Sequence, residues 1–243
     1  MEEITNNLIR GLKQYFQKTG FVKAVVGVSG GVDSAVTTAL AVKALGKENV
    51  CGIPLPHPAF SGAENLNDAR ELGKILGIQT EEIRIDDFTD PFFDIPWVAH
   101  HVTKANVLAR IRMIILYSWA NEHNALVLGT CNKSETLLGY ETKFGDGACD
   151  ISVLGDLWKT EVWKLAKYLE LPEKFINKPP SAELWEGHTD EEEMGYTYGF
   201  ADEVLRKWEK GEELDESNSK ISDILKRIRV HEHKRKFPPT LLK

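Results

Sequence analysis

The residues best suited to chemistry stand in one run, Gly27-Val28-Ser29-Gly30-Gly31-Val32-Asp33-Ser34, at the end of an apolar stretch. Gly30 and Gly31 allow a sharp turn and let backbone approach an anion with no Cβ in the way. Successive N–H groups in such a turn can face inward, backed by the positive end of a following helix, and hold a phosphate. Ser29 and Ser34 add hydroxyl donors. Asp33 would repel phosphate by itself, so an acid there makes sense if it holds a Mg²⁺ that bridges to phosphate oxygens. The plain alternative is a glycine turn in which Asp33 and Ser34 only cap a helix. The full run, set between a strand and a helix, favours the phosphate site. No lysine follows the glycines, so this is not the G-x-x-x-x-G-K-[ST] loop of common NTPases.

To bind a ligand, such a loop must stand at the carboxyl end of a strand in an open α/β sheet. Residues 22–28 form a β-branched run suited to a parallel strand buried on both faces, and residues 35–45 a small-residue helix. Ahead of them Ile4, Leu8, Leu12 and Phe16 recur every four residues, the spacing of one helix face. Further strands are expected at 50–55, 80–85, 125–130 and 151–154. Helices are expected around 64–76 and 103–121, with a proline-punctuated stretch at 90–97. The order predicts a doubly wound parallel sheet in an α/β fold. Beyond Leu154 two stripes predict a helical C-terminal part: Val162, Leu165, Ala166 and Leu169, then Met194, Tyr198, Ala201, Leu205 and Trp208. Pro179 and Pro180 forbid a continuous helix between them. With no repeat, no low-complexity linker and no second set of strands, residues 1–243 are expected to form a single domain.

The bulk numbers narrow the partners. A chain of 243 residues, 42% hydrophobic and 28% charged, suits a soluble globular protein with a well-filled core. The net charge of −7 gives no basic field to attract a polyanion, so nucleic acid is not an expected partner. Cys51, Cys131 and Cys149 are widely spaced and odd in number, which argues against a zinc site or a disulfide framework and for a reducing compartment. The amphipathic N-terminus lacks the apolar core of a signal peptide, and no stretch approaches a membrane span. The expected location is the cytoplasm, with no membrane association.

The SGGVDS run resembles the SGGxDS loop of the PP-loop ATP pyrophosphatases, which cleave ATP between the α and β phosphates. Further matches, in order along nearly the whole chain, resemble the NAD synthetase family within that superfamily. Asn106-Val-Leu-Ala-Arg110-Ile-Arg112 resembles its N-x-x-A-R-x-R helix, Gly129-Thr130-Cys131-Asn132-Lys133-Ser134-Glu135 its GTxNKSE motif, and residues 139–146 its G-x-x-T-K-[YF]-G-D segment. The resemblance implies an adenine nucleotide alpha hydrolase-like fold. It implies that residues Gly27 to Ser34, Thr130, Lys159 and Ser181 bind ATP, and that Glu135 joins Asp33 on Mg²⁺. It also places Arg110, Lys143, Asp150, His233 and Lys234 on deamido-NAD. Asn106 and Arg110 share a helix face, with Arg112 turned nearly opposite, so Arg110 is the better ligand candidate and Arg112 the structural one. Asp146 is a candidate for binding ammonium and accepting its proton. Lys159, a cation at a helix start, opposes the dipole, a hint that it serves something other than the helix.

The implied reaction is amidation of the nicotinate carboxylate of deamido-NAD. ATP activates the carboxylate as an acyl-adenylate, and ammonia then displaces AMP. The catalytic group would be Asp33, Glu135, Lys159 and Asp146, with Mg²⁺ as cofactor and ATP as co-substrate. Nothing resembles an appended glutaminase domain, so free ammonia is the expected direct nitrogen source, with a separate amidotransferase subunit as the alternative. The resemblance further implies a homodimer. The rivals are another PP-loop enzyme, such as a GMP synthetase catalytic domain or a tRNA-thiolating enzyme, and a nucleotide-binding regulatory protein without turnover. The acidic charge and the missing cysteine pair weigh against thiolation. The two downstream motifs weigh against both enzymes, and two metal carboxylates against mere binding.

Overall fold

A computed structural model describes residues 1–181 and 187–241. In chain order the elements are α1 (Glu2–Thr19), β1 (Lys23–Gly27), α2 (Val32–Leu45), β2 (Val50–Ile53), α3 (Ala63–Leu76), β3 (Gln79–Thr80), α4 (Asp86–Phe93) and α5 (His101–His123). They continue with β4 (Ala125–Gly129), α6 (Lys133–Leu138), β5 (Ile151–Ser152), α7 (Lys159–Tyr168), α8 (Glu173–Asn177), α9 (Asp190–Met194), α10 (Tyr198–Glu209) and α11 (Ser219–Val230). Among the described residues the strands form one parallel sheet in the order β3-β2-β1-β4-β5. The chain winds outward from β1 to β3, then restarts at β4 on the other side of β1. The β1–β4 boundary is therefore the switch point, where ligands bind beyond the carboxyl ends of the strands.

The central strands are apolar on both faces because both faces are covered. Ala24, Val26, Val50, Leu126 and Leu128 pack with α1, α2 and α7 in one buried cluster. Val25, Cys51, Ile53 and Val127 alternate to the opposite face and pack with α5. This is the period-2 reading of a strand buried on both sides. A third cluster, built from Met194, Tyr198, Ala201, Leu205, Ile224 and Ile228, joins α10 and α11 to Leu138 and Trp158. It is the packing that fixes the helical C-terminal part against the carboxyl-end loops.

The third strand is shorter than expected, and the prolines opposite it explain why. β3 is only Gln79–Thr80, although residues 80–85 carry a strand-like pattern. Beyond it Ile83 N–H donates to the Pro54 carbonyl and Ile85 N–H to the Pro56 carbonyl, each at 3.1 Å. Neither proline has an N–H to donate back, so the ladder stays one-sided. The proline-punctuated stretch 90–97 begins inside a helix not expected from the sequence, α4, which contains Pro91. Asp86 and Asp87 open that helix, where negative charge favours the N-terminus, and Thr89 Oγ1 donates back to the Ile85 carbonyl at 3.0 Å. β5 is likewise limited to Ile151–Ser152, within the expected 151–154.

Gly30 shows why the loop after β1 needs glycine. Its φ is +83°, in the left-handed region, and a Cβ there would stand 2.2 Å from the Asn65 carbonyl oxygen in α3. Backbone cannot yield to that contact as a side-chain tip could. Gly30→Ala is therefore expected to destabilise the protein by about 1–3 kcal/mol, read as a lower urea midpoint with an unchanged m-value.

Candidate active site

A cleft of about 520 Å³ lies at the switch point. The loop after β1 supplies Gly27, Val28, Ser29, Asp33 and Ser34, and the turn after β4 supplies Gly129, Thr130, Cys131 and Glu135. The first loop is held by its own serines. Gly31 N–H donates to Ser29 Oγ at 3.2 Å, and Ser34 Oγ donates to the Gly31 carbonyl at 3.0 Å. No side chain caps the start of α2, so its first amides keep their positive end toward the cleft. The second turn is rigid for a different reason. Asn132 Oδ1 accepts from Glu135 N–H at 3.0 Å, and Glu135 Oε2 accepts from Asn132 N–H at 3.1 Å, a reciprocal capping box that opens α6.

Three charged side chains meet between these loops. Lys159 Nζ donates to Asp33 Oδ2 at 2.5 Å and to Glu135 Oε1 at 2.9 Å. Asn132 Nδ2 donates to the other oxygen of Asp33 at 2.8 Å. Lys159 is 2% exposed and lies beneath the cleft floor rather than on it. Burial alone would lower the lysine pKa, but the charges of Asp33 and Glu135 and their hydrogen bonds outweigh it and hold it above the usual value. Glu135 moves the other way for an acid. Loss of water and then the negative charge of Asp33 push its pKa up to about 8, against the opposing pull of Lys159. Two carboxylates thus converge on one cation position.

That convergence is the test of whether a divalent cation fits. Two hard oxygen donors already pointed at a positive charge match the one or two carboxylates by which Mg²⁺ is commonly held, with phosphate oxygens and water completing its shell. Among the described residues no third acid, histidine or cysteine joins them to enclose a metal unaided. The donor set fits Mg²⁺ delivered with a nucleotide.

The remaining expected residues divide by position. Ser181, Asp146 and Lys234 also line the cleft. Ser181 Oγ lies 3.2 Å from His188 Nδ1. Asp146 Oδ1 accepts from Thr142 N–H at 2.7 Å, and Cys131 Sγ lies 3.4 Å from the Asp146 carbonyl oxygen. Lys234 Nζ donates to the Gly139 and Glu141 carbonyls, each at 2.6 Å. Arg110, Lys143 and His233 form a separate chain outside the cleft lining. Arg110 donates to the Lys143 carbonyl at 3.3 Å, and Lys143 Nζ donates to the His233 carbonyl at 2.5 Å. Asp150 braces the sheet, its Oδ2 accepting from Val127 N–H at 2.7 Å and its carbonyl accepting from Tyr15 in α1 at 2.9 Å.

Arg110 and Arg112 fall on different faces of α5, and only the second meets the cleft. Arg112 lines the cleft, where its Nε donates to the Leu55 carbonyl at 3.1 Å and fixes the wall formed by residues 55–61. Arg112 lies on the stripe of α5 that lines the cleft, with Ala105, Asn106, Ala109 and Leu116, whereas Arg110 is exposed. Asn132 was quoted within its motif without a role, although the spacing Asn132-x-x-Glu135 is a legible capping box. His188, Glu193 and Tyr140 were missed altogether. His188 Nε2 lies 3.0 Å from Glu193 Oε2 and 3.2 Å from Tyr140 Oη at the cleft's C-terminal side, a grouping that no spacing announces.

Comparison with known proteins agrees with this geometry. The NAD synthase family model matches residues 4–238. The NH(3)-dependent NAD(+) synthetase of Fusobacterium nucleatum is 42% identical over 245 residues, covering 98% of this chain and 95% of that protein. Its counterpart in Methanocaldococcus jannaschii is 42% identical over 251 residues, covering 99% and 96%. Among solved structures, an NMN synthetase from Francisella tularensis superposes with a TM-score of 0.90 at 36% identity, covering 99% of this chain and 98% of that one. An NH3-dependent NAD synthetase from Campylobacter jejuni gives 0.85 at 34% identity with the same coverage. With a family match over nearly its whole length and a phosphate loop facing an acid pair at the switch point, the chain belongs to the NAD synthase family.

Proposed function

We propose that this chain, acting as one synthetase domain, amidates the nicotinate carboxylate of deamido-NAD with ammonia, splitting ATP to AMP and pyrophosphate. The observation that carries the reading is the Asp33–Lys159–Glu135 cluster set against a glycine loop in a chain of this family. A free carboxylate resists amidation because its charge repels a nucleophile and oxygen leaves poorly. Transfer of AMP to one of its oxygens provides a good leaving group, after which ammonia attacks the acyl carbon.

Asp33 and Glu135 would hold Mg²⁺, which when bound offsets phosphate charge as a Lewis acid. The chain's own groups account for the rest. The amides opening α2 and the hydroxyls of Ser29 and Ser34 orient the phosphates, with Thr130 and Ser181 flanking them. Lys159 supplies positive charge beside the acids as pyrophosphate departs. Arg110, Lys143, Asp150, His233 and Lys234 would engage the dinucleotide. Lys143 and Lys234 would exchange their present carbonyl partners for its phosphates and hydroxyls. Asp146, on the cleft wall beside Cys131, would take a proton from ammonium, because only neutral ammonia is nucleophilic. No enzyme nucleophile is needed, since positioning and charge stabilisation suffice.

The likeness to an NMN synthetase favours one second reading, a mononucleotide acid as the amidated substrate. Comparing kcat/KM for nicotinate mononucleotide and deamido-NAD separates the two. Free Cys51, Cys131 and Cys149 support a reducing, cytoplasmic setting, and among the described residues no helix is long and apolar enough to cross a membrane. A homodimer is supported by the apolar surface around α4 and α5, where Trp97 is 78% exposed and Ile114 55%.

Purified protein given ATP, Mg²⁺, deamido-NAD and ammonium should yield NAD and AMP in equal amounts. Asp33→Ala and Glu135→Ala should each lower kcat by at least about 100-fold while leaving the far-UV spectrum unchanged. Full turnover in either would remove the metal assignment. The raised Glu135 also fixes a pH trend in nucleotide-free protein. Its folded pKa of about 8 exceeds its ordinary 4.5, so the folded state keeps a proton that the unfolded state has released. Stability contributed at this position therefore falls as pH rises from 4.5 to 8 and is flat outside that window. Wild type should lose ground against Glu135→Gln across this interval in urea titrations. Ile114→Arg should shift the sedimentation coefficient to that of a monomer, and an unchanged oligomer would discard the α5 interface.

A further inference from the structure

Lys159 is the first residue of α7, and its place depends on a part of the molecule that the reaction scheme does not use. Its ammonium lies 5.2 Å from the ring centroid of Tyr198 in α10. Its backbone N–H donates to Ser134 Oγ in α6 at 2.9 Å. Ser134 Oγ in turn donates to Asp202 Oδ1, and Asp202 Oδ2 accepts the next amide of α7, Thr160 N–H, at 2.9 Å. Ser134 is fully buried and Asp202 is 2% exposed. Tyr198 and Asp202 are four residues apart, so one face of α10 meets Lys159 at both its side chain and its main chain. Arg206, four residues further along, extends the same face by donating to Glu161 Oε1 in α7 at 2.7 Å.

A buried carboxylate is disfavoured unless its oxygens are occupied by donors. Asp202 meets that requirement with a hydroxyl from α6 and an amide from the start of α7, where the helix dipole also favours negative charge. Those two helices begin beside the two halves of the charged cluster: α6 carries Glu135 and α7 carries Lys159. Holding both starts with one side chain sets the separation between the lysine and its acid.

We propose that Asp202, acting through Ser134, is a positioning residue for catalysis: it fixes the α6 and α7 starts and so aims Lys159 at Asp33 and Glu135. The proposal rests on the role given to Lys159 above. Asp202 touches neither the cleft nor any reacting atom, so its effect is on the adenylation half of the reaction, in which the lysine acts. The ammonia step, served by the cleft wall around Asp146, is not affected.

The test compares Asp202→Asn and the milder Ser134→Ala with Glu203→Gln, a neutral control at the next position of α10, whose exposed acid pairs with Lys207. Each variant is assayed below its own melting temperature for steady-state turnover and for deamido-NAD-dependent ATP–pyrophosphate exchange. Asp202→Asn and Ser134→Ala should lower kcat and exchange together by roughly 10- to 100-fold, with the KM for ammonium unchanged. The double variant should be no worse than the poorer single, because the two groups act as one unit. Glu203→Gln should match wild type. Full exchange in folded Asp202→Asn and Ser134→Ala would overturn the positioning role, as would losses that multiply in the double variant or a rise confined to the ammonium KM. Lys159→Met separates the two levels: full exchange there would overturn the lysine's role and the positioning role with it. Loss of exchange there with intact Asp202 and Ser134 variants would overturn the positioning role alone.

Discussion

One buried ammonium, that of Lys159, lies between two carboxylates carried by segments far apart in the chain, and the organisation of the site follows from that arrangement. Asp33 and Glu135 placed this close would repel each other strongly in a medium of low dielectric. The lysine makes the pair tolerable, and Asn132 occupies one remaining oxygen of Asp33. Such a cluster does little for net stability, because desolvating three charges offsets most of their attraction. Its value is specificity: the loop after β1, the turn after β4 and the start of α7 must all arrive together for any of them to be satisfied.

The sheet makes that meeting possible. Parallel strands place all their carboxyl ends on one edge, and the reversal of winding at β1 and β4 opens a gap between neighbouring loops. Each loop is rigid for a local reason, serine bonds within the first and a capping box in the second. Rigidity matters because phosphate is held by many weak donors whose directions must agree beforehand. The helical C-terminal part then closes the same edge from outside, packed through Met194, Tyr198, Leu205 and Ile228.

The fold was legible in the sequence because buried parallel strands read as unbroken apolar runs and amphipathic helices as stripes. Residues 80–85 misled because a strand pattern describes side chains, whereas a ladder also needs donors from its neighbour, and Pro54 and Pro56 have none. In the site, the phosphate loop was legible as a local motif. Asp33 was legible within that motif and Lys159 as a cation set against a helix dipole, but Glu135 and the grouping of all three rested on resemblance. No spacing in one sequence says that positions 33, 135 and 159 converge. Arg112 shows the limit of helix-wheel reasoning. A wheel separates the faces of Arg110 and Arg112 without saying which of them meets the cleft: Arg112 lines it and Arg110 is exposed. Ser134 and Asp202 were invisible for a related reason: a buried acid that holds two helix starts looks like any polar residue in an amphipathic stripe.

The short turn Glu232–Lys234 and the arginine after it are pinned by their cations to main-chain oxygens. Lys234 grips the Gly139 and Glu141 carbonyls, Arg235 reaches the Leu137 carbonyl at 3.1 Å, and Lys143 returns the contact to His233. Residues 234 and 235 are therefore stitched to the rim of the cleft, whereas α1 packs on the far side of the sheet from α5. Anything that pulls residues 234 and 235 off those carbonyls is felt at the wall of the cleft, because Gly139 and Glu141 belong to it.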